Sequence, residues 1–321
     1  MIEKEYGFSE VYLLHNKCIV ESRAKDCDPS MKLGDIRFKC PVVPSNMKSV
    51  VNENTCLYLA KKGWFYIMHR FGTDNHKFVK FMHDQGVFSS ISVGVNEDSY
   101  EQLRKIKSDK ISIEYITLDI ANAYSVKAEK MTRFIKDSFP DSFLIVGNYA
   151  TEEAVSALES WGADSTKAGV SNGHVCSTYL ATGFSRPQFS TILKCSNVAK
   201  KPIISDGAIK NVGDVSKAIV AGASFVMAGN LFSGYDQSAG EIINIEGKKY
   251  KQYFGSASYN NTLNERNVEG KCILVDYKGE MDKLLYEIED GIMSSISYAG
   301  GKDLSALKNV KWGVRDGGVR Q

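Results

Sequence analysis

Short apolar, β-branched runs recur along the chain, each followed by a stretch with helical patterning. They read CPVVPSNM (40–47), GWFYIMHRF (63–71), FSSISVGV (88–95), IEYITLDIA (113–121), SFLIVGNY (142–149), ADSTKAGV (163–170), KPIISDGA (201–208) and ASFVMAGN (223–230). Continuous apolar runs of this length predict strands buried on both faces, as in parallel sheets. Between them, NTCLYLAKKGW and TEEAVSALESWGA place apolar residues at three- and four-residue steps, and Thr151 with Glu153 marks a helix start. Eight such units predict an α/β chain folded as a (β/α)8 TIM barrel. A doubly wound sheet is the rival; no GxGxxG supports it.

Each run ends in polar or glycine residues: Ser45-Asn46, His69-Arg70, Asp119, Gly147-Asn148, Lys167, Asp206-Gly207 and Gly229-Asn230. In a barrel these ends share one rim, where active sites are built. Residues 240–321 exceed what the barrel needs. They predict a strand pair, a polar Asn-rich loop and a further strand, together a flap over about 240–275, followed by a C-terminal helix and tail at 280–321. The organisation expected is one barrel domain over 1–321 with a C-terminal flap and helical extension.

Composition narrows the function. The 321 residues are 43% hydrophobic and 24% charged with a net charge of +2, which gives no basic stripe for nucleic acid. No apolar run of about 18 residues occurs to span a membrane, and the opening MIEKEYGFSEVYLL lacks a signal-peptide core. Seven cysteines without CxxC spacing argue against a disulfide framework or zinc site and for a reducing, cytoplasmic location.

Two stretches carry candidate chemistry. SDGAIKNVGDVSKAIVAGASFVMAGN has glycines after the seventh and eighth strands, with helices expected near Gly213-Asp214 and just past Gly229-Asn230. Helix starts at this place in a barrel suit a phosphate, and Asp206 suits ribose hydroxyls. The second stretch, VSNGHVCSTYLATG (170–183), puts Cys176 on a glycine-rich loop after the sixth strand. A partly exposed rim thiol is a candidate nucleophile, but free cysteine is among the most buried residue types. The residues alone leave both readings open.

Over nearly its whole length the chain resembles the IMP dehydrogenase and GMP reductase family: STKAGVSNGHVCSTYLATGFSRPQ, ISDGAI with GDVSKAIVAGASFVMAGNLFSG, and PSNM, YIMHRF, SISVGV, LDIANAYS, GNYAT, YFGSAS, NVEGK and SSISYAGG. The resemblance implies that Cys176 attacks C2 of a purine nucleotide to give a covalent thioimidate. Only about 16 residues separate MHRF from FSSISVGV, so the regulatory CBS modules usual in the dehydrogenases have no room. There is no Arg-Tyr dipeptide for the dehydrogenases' water-activating pair, and Arg266 is the only arginine between Leu231 and Lys271. Thr178 and Glu269 instead match the threonine and flap glutamate of the reductases. The implied activity is NADPH-dependent reductive deamination of GMP to IMP with loss of ammonia. By the same resemblance, Asp206, Gly207, Ala208, Gly229 and Asn230 hold ribose and phosphate, and Gly255, Ser256, Ala257, Arg266 and Gly270 line the purine. Asp119, Ile120, Ala121, Ser22, Arg23, Arg70 and Tyr298 serve the cofactor. The resemblance further implies K+ bound by carbonyls of Ser171, Gly173 and Cys176, and a homotetrameric assembly.

Three departures stand out: Gly169-Val170-Ser171-Asn172-Gly173 where the family has Gly-Ile-Gly-Pro-Gly, Ala208 for the second glycine of Asp-Gly-Gly, and Ser185 for a glycine. The rival readings are an IMP dehydrogenase without CBS modules, a flavin-dependent barrel, and a nucleotide-binding protein without catalysis.

Overall fold

The computed structural model describes residues 4–255 and 271–315. In chain order its strands are β1 (Val11–Leu13), β2 (Met31–Leu33), β3 (Ile36–Phe38), β4 (Val42–Pro44), β5 (Ser90–Val93), β6 (Tyr115–Asp119), β7 (Phe143–Tyr149) and β8 (Ser165–Ala168). Then follow β9 (Ile203–Asp206), β10 (Phe225–Ala228), β11 (Ile242–Ile245), β12 (Lys248–Phe254), β13 (Cys272–Asp276) and β14 (Trp312–Val314). Seven of the eight expected runs form one parallel sheet, in the order β4-β10-β9-β8-β7-β6-β5.

The run expected as the second strand, 63–71, carries no ladder strand. Residues 64–69 are buried all the same and lie against β5, with Met68 N–H bonded to the Ser90 carbonyl at 3.0 Å and Tyr66 Oη to the Phe88 carbonyl at 2.6 Å. Hydroxyl bonds replace part of the ladder: Ser90 N–H goes to Tyr66 Oη at 3.2 Å, and Ser92 Oγ donates to the Met68 carbonyl at 2.5 Å. This segment fills the gap between the sheet edges β4 and β5, so the sheet curls into a barrel.

The barrel interior is one apolar cluster: Val43, Phe65, Ile67, Tyr115, Ile145, Ile204, Phe225 and Met227 pack together from around the ring. The β2–β3 hairpin adds Leu33 and Phe38. Phe38 meets Phe65, Phe88, Tyr115 and Phe225 at ring distances of 5.0–6.2 Å, and Tyr115 Oη donates to the Leu33 carbonyl at 2.7 Å. Tyr115 and Phe225 begin their strands, so the hairpin plugs the N-terminal mouth. Burying Phe38 there contributes about 1.5–3 kcal/mol. The opposite mouth, at the strands' C-terminal ends, stays available for chemistry.

The helices outside the ring start where side chains satisfy their first N–H groups. Asn52 caps Glu53–Lys61, Ser125 caps Val126–Ser138, Thr151 caps Glu152–Trp161 and Asn211 caps Val212–Val220. The start expected near Gly213-Asp214 is therefore borne out. The helix expected past Gly229-Asn230 is only a 3-10 turn, Asn230–Phe232. The chain must bend at Gly234, with φ +90° and a notional Cβ only 2.4 Å from the Asp276 carbonyl, which leaves no room to continue a helix. The eighth unit's helix comes after the flap instead: Asp282–Tyr298 packs beside Val212–Val220, where Gly291 permits the close approach.

The flap arms form an antiparallel sheet, β11-β12-β13. Glu246 and Gly247, both at positive φ, make the two-residue turn between β11 and β12. At the chain's other end β1 pairs with β14.

Candidate active site

The open mouth holds a cavity of about 750 Å³, within the range of small-molecule sites. It is walled by the ends of the parallel strands, by the loop 169–176 and by Tyr253 and Gly255 of the flap. Cys176, Thr178, Asp206, Gly207, Ala208, Gly229, Asn230, Gly255, Asp119, Ile120, Ala121, Arg70, Ser171 and Gly173 all line it. One cavity thus gathers fourteen residues singled out from the sequence. Ser256, Ala257, Arg266, Glu269 and Gly270 lie outside the described residues. Ser22, Arg23 and Tyr298 are not part of this wall. Arg23 Nη1 bonds Ser294 Oγ at 2.7 Å, and exposed Tyr298 borders a small separate cleft beside the C-terminal helix.

Cys176 is half-buried, and its thiol contacts Thr178 Oγ1 at 3.3 Å. The other cysteines differ. Burial pushes the thiols of Cys40 and Cys56 well up and that of Cys195 up to about 12, while Cys18 and Cys272 are exposed away from the cavity. Thiolates, not thiols, are nucleophiles, so burial makes Cys40, Cys56 and Cys195 inert.

The departures in the loop find partners. Ser171, at φ +64°, donates its hydroxyl to the Phe184 carbonyl at 2.8 Å. Asn172 Nδ2 reaches the Arg186 carbonyl at 3.0 Å and Gln188 Oε1 at 2.6 Å, and its carbonyl accepts Ala208 N–H at 2.8 Å. Side-chain hydrogen bonds therefore tie the loop's outgoing and returning arms together. Gly207 lets the two backbones come this close: its φ is +93° and a Cβ there would lie 3.0 Å from the Asn172 carbonyl carbon. Behind the returning arm, Arg186 pairs with Glu5 at 2.9 Å and Glu152 at 2.8 Å, and it donates to the Ala150 carbonyl.

The centre of the cavity floor is Lys167. Its side chain is 2% exposed, and Nζ lies 3.0 Å from Asp119 Oδ1 and 2.7 Å from Asp206 Oδ2, with Asn148 Oδ1 as a third partner. Burial opposes the charge on Lys167, but Asp119 and Asp206 outweigh it and hold the ammonium protonated. Burial likewise works against the Asp119 carboxylate, and the charges of Lys167 and Arg70 overcome it, lowering its pKa. Asn148 Nδ2 also bonds Asp206 Oδ2, at 2.8 Å. Both partners of Asp206 use one oxygen, which leaves Oδ1 for a ligand. Arg70 spends Nε on the Asp119 carbonyl at 3.1 Å and stacks on Phe71.

Lys167 and Asn148 stood out in the sequence as polar strand ends, and Tyr253 only as part of the motif YFGSAS, none of them with a role of its own. Tyr253 is buried, and its ring faces His174 of the loop at 6.5 Å. Burial first, and the Asp206 charge second, keep its phenol protonated. A Cβ on Gly229 would fall 2.4 Å from Tyr253 Oη, so this glycine is needed for the flap arm to lie over the rim.

Among the described residues no cluster of His, Cys, Asp or Glu could hold a metal, and no helix is long and apolar enough to cross a membrane. The chain is similar over nearly its whole length to several proteins named as GMP reductases. It is 54% identical over 311 residues to a GMP reductase of Chromobacterium violaceum, covering 97% of this chain and 98% of the relative. It is 47% identical over 310 residues to a GMP reductase of Lactobacillus gasseri (96% and 94% covered). To one of Staphylococcus epidermidis it is 46% identical over 312 residues (96% of each). Residues 5–315 match the family model described as IMP dehydrogenase / GMP reductase domain. A curled parallel sheet, a rim thiol beside a threonine and this full-length match agree: the chain belongs to the IMP dehydrogenase / GMP reductase family.

Proposed function

We propose that this protein reduces GMP to IMP with release of ammonia, working as one unit over its whole length. The observation that carries the reading is the Cys176 thiol, half-buried in the barrel mouth and 3.3 Å from the Thr178 hydroxyl. The near full-length relatives named as GMP reductases support the same activity.

Cys176 attacks C2 of the purine as thiolate, forming an S–C2 bond, and the C2–N bond to the amino group then breaks. The amine is a poor leaving group until protonated. Thr178, with Glu269 as the proton source, delivers that proton, and ammonia departs from the tetrahedral adduct to leave the thioimidate. NADPH, when bound, supplies the hydride that replaces the lost amino group at C2. Breaking the S–C2 bond then releases IMP and returns the thiolate.

Asp206 Oδ1 accepts from ribose hydroxyls, and Gly229 and Asn230 approach the phosphate with backbone N–H groups. Gly207 and Ala208, whose N–H groups go to the Met227 and Asn172 carbonyls, shape the turn beside it. Gly255, Ser256, Ala257, Arg266 and Gly270 close on the purine from the flap. The cofactor fits the far side of the cavity, where Asp119, Ile120 and Ala121 form the wall and Arg70 presents a guanidinium with one N–H committed. Ser22, Arg23 and Tyr298, on a separate face, serve the cofactor of a neighbouring copy in a homotetramer. K+ suits the carbonyls of Ser171, Gly173 and Cys176 rather than any side chain, since Ser171 Oγ is committed to Phe184.

Purified protein with GMP and NADPH should consume nicotinamide absorbance, and Cys176→Ala should abolish this while GMP still binds. Turnover of IMP with NAD and none of GMP would overturn the assignment, as would a yellow, flavin-bearing preparation.

A further inference from the structure

The 235–238 turn, between the barrel rim and the flap, exposes four successive backbone carbonyls, and every one is taken by a side chain from another element. Thr55 Oγ1 donates to Gln237 O at 2.5 Å. The other three converge on one ammonium: Lys251 Nζ lies 2.8 Å from Tyr235 O, 3.2 Å from Asp236 O and 2.5 Å from Ser238 O. An ammonium has three N–H donors, and here each finds an acceptor. Lys251 is 3% exposed, and among the described residues no carboxylate comes within ion-pair distance of it, although the Asp236 charge acts on it from farther away. Its charge is met by carbonyl dipoles, the donor set that replaces the hydration shell of alkali cations in carbonyl-lined sites.

Lys251 belongs to the middle strand of the flap sheet, opposite Ile242 on one side and Val275 on the other. Two residues on stands Tyr253, which faces the cavity loop and overlies Gly229, and Phe254 exchanges both backbone bonds with Ser49 Oγ. The 235–238 turn is itself fixed to the rest of the molecule, through Met281 N–H to Gln237 Oε1 at 2.8 Å and Asp236 N–H to the Gly279 carbonyl at 2.9 Å. The ammonium thus joins a rigid turn to the strand that leads into the active site.

We propose that Lys251 is a positioning residue for turnover: a tethered monovalent cation, seated in the three-carbonyl nest of residues 235–238, that fixes the flap arm bearing Tyr253 over the cavity. The proposal rests on the reading of the flap as part of the reductase site, and wild-type turnover of GMP tests that reading separately.

Lys251→Ala removes the side chain beyond Cβ, and n-propylammonium replaces the atoms lost. Lys251→Met keeps the stem and deletes only the charge. Expected for both is a tenfold or greater fall in kcat for GMP, normalised to the thiol that GMP protects from alkylation, a correction that removes any loss of folded enzyme. n-Propylammonium should restore Lys251→Ala saturably and leave Lys251→Met unrestored, whose stem blocks the nest. Tetramethylammonium, without N–H donors, should restore neither. Ammonium itself is unsuitable, because it is the product. The proposal fails if either variant keeps kcat within twofold of wild type, or if the two amines act alike on Lys251→Ala. Should Lys251→Ala fold poorly, its melting temperature gives the same decision. A rise with n-propylammonium alone, absent in wild type, supports the nest, and equal shifts with both amines overturn it.

Discussion

Replacing Lys167 by methionine removes one charge and leaves two carboxylates facing each other across the cavity floor. At an effective dielectric constant of about 20, each unit charge about 3 Å from the ammonium is attracted by roughly 332/(20 × 3), or about 5.5 kcal/mol. Desolvation of the buried ions offsets much of this, and breaking such a buried pair costs about 3–5 kcal/mol. That cost applies here because the Lys167 side chain is 2% exposed and those of Asp119 and Asp206 only 14% and 18%. The pH dependence then changes sign. In wild type the Asp119 pKa is lowered below its ordinary value of 3.8, so its contribution is present above that value and lost as pH falls through the folded pKa. In Lys167→Met the paired carboxylates repel, one pKa rises above 3.8, and the folded state binds the extra proton. Stability should then fall as pH rises through that raised pKa. Urea unfolding between about pH 5 and 8, with m held equal, reads both effects. Adding Asp119→Asn should recover part of the loss, as a double-mutant cycle requires of coupled groups. A loss under about 1 kcal/mol at pH 7, or an unfolding profile with the wild-type pH slope, would refute the reasoning.

Gly229→Ala should raise KM for GMP and destabilise by about 1–3 kcal/mol through overpacking, since its Cβ meets Tyr253 Oη at 2.4 Å. Tyr253→Phe in the same chain removes the clashing oxygen and should restore much of the stability, and a double variant no better than the single one would count against the clash. Burial, with help from Lys48, lowers the His69 pKa from 6.5 to about 4. The unfolded chain therefore takes up the proton first as pH falls, so the His69 contribution is complete above 6.5 and lost between 6.5 and about 4, roughly 3 kcal/mol in all. A His69→Gln variant with the same acid unfolding curve as wild type would contradict this.

The barrel was legible because most of its strands, buried on both faces, stand out as short runs rich in apolar and β-branched residues at regular spacing. Where that failed, at 63–71, the run is apolar and buried, but the hydroxyls of Tyr66 and Ser92 take backbone partners that a ladder would pair. The rim residues were legible one by one as strand ends; their partnership was not. Lys167 sits in a strand of small polar residues, and its meaning depends on Asp119 and Asp206, which come from other strands 48 and 39 residues away. Lys251 stands among Lys248 and Lys249, and nothing in GKKYKQYF distinguishes the buried lysine from its two exposed neighbours. Ser171 and Asn172 read as departures from a motif, and only the hydrogen bonds to Phe184, Arg186 and Gln188 give them a role.

Arg186 joins Glu5 to the loop that walls the cavity. Glu5 pairs with the Arg186 guanidinium, and the Arg186 backbone carbonyl accepts from Asn172, four residues before Cys176. Two contacts thus connect a residue near the amino terminus to the wall of the cavity, and a change of charge at Glu5 bears on that loop although it lies far from it in the chain.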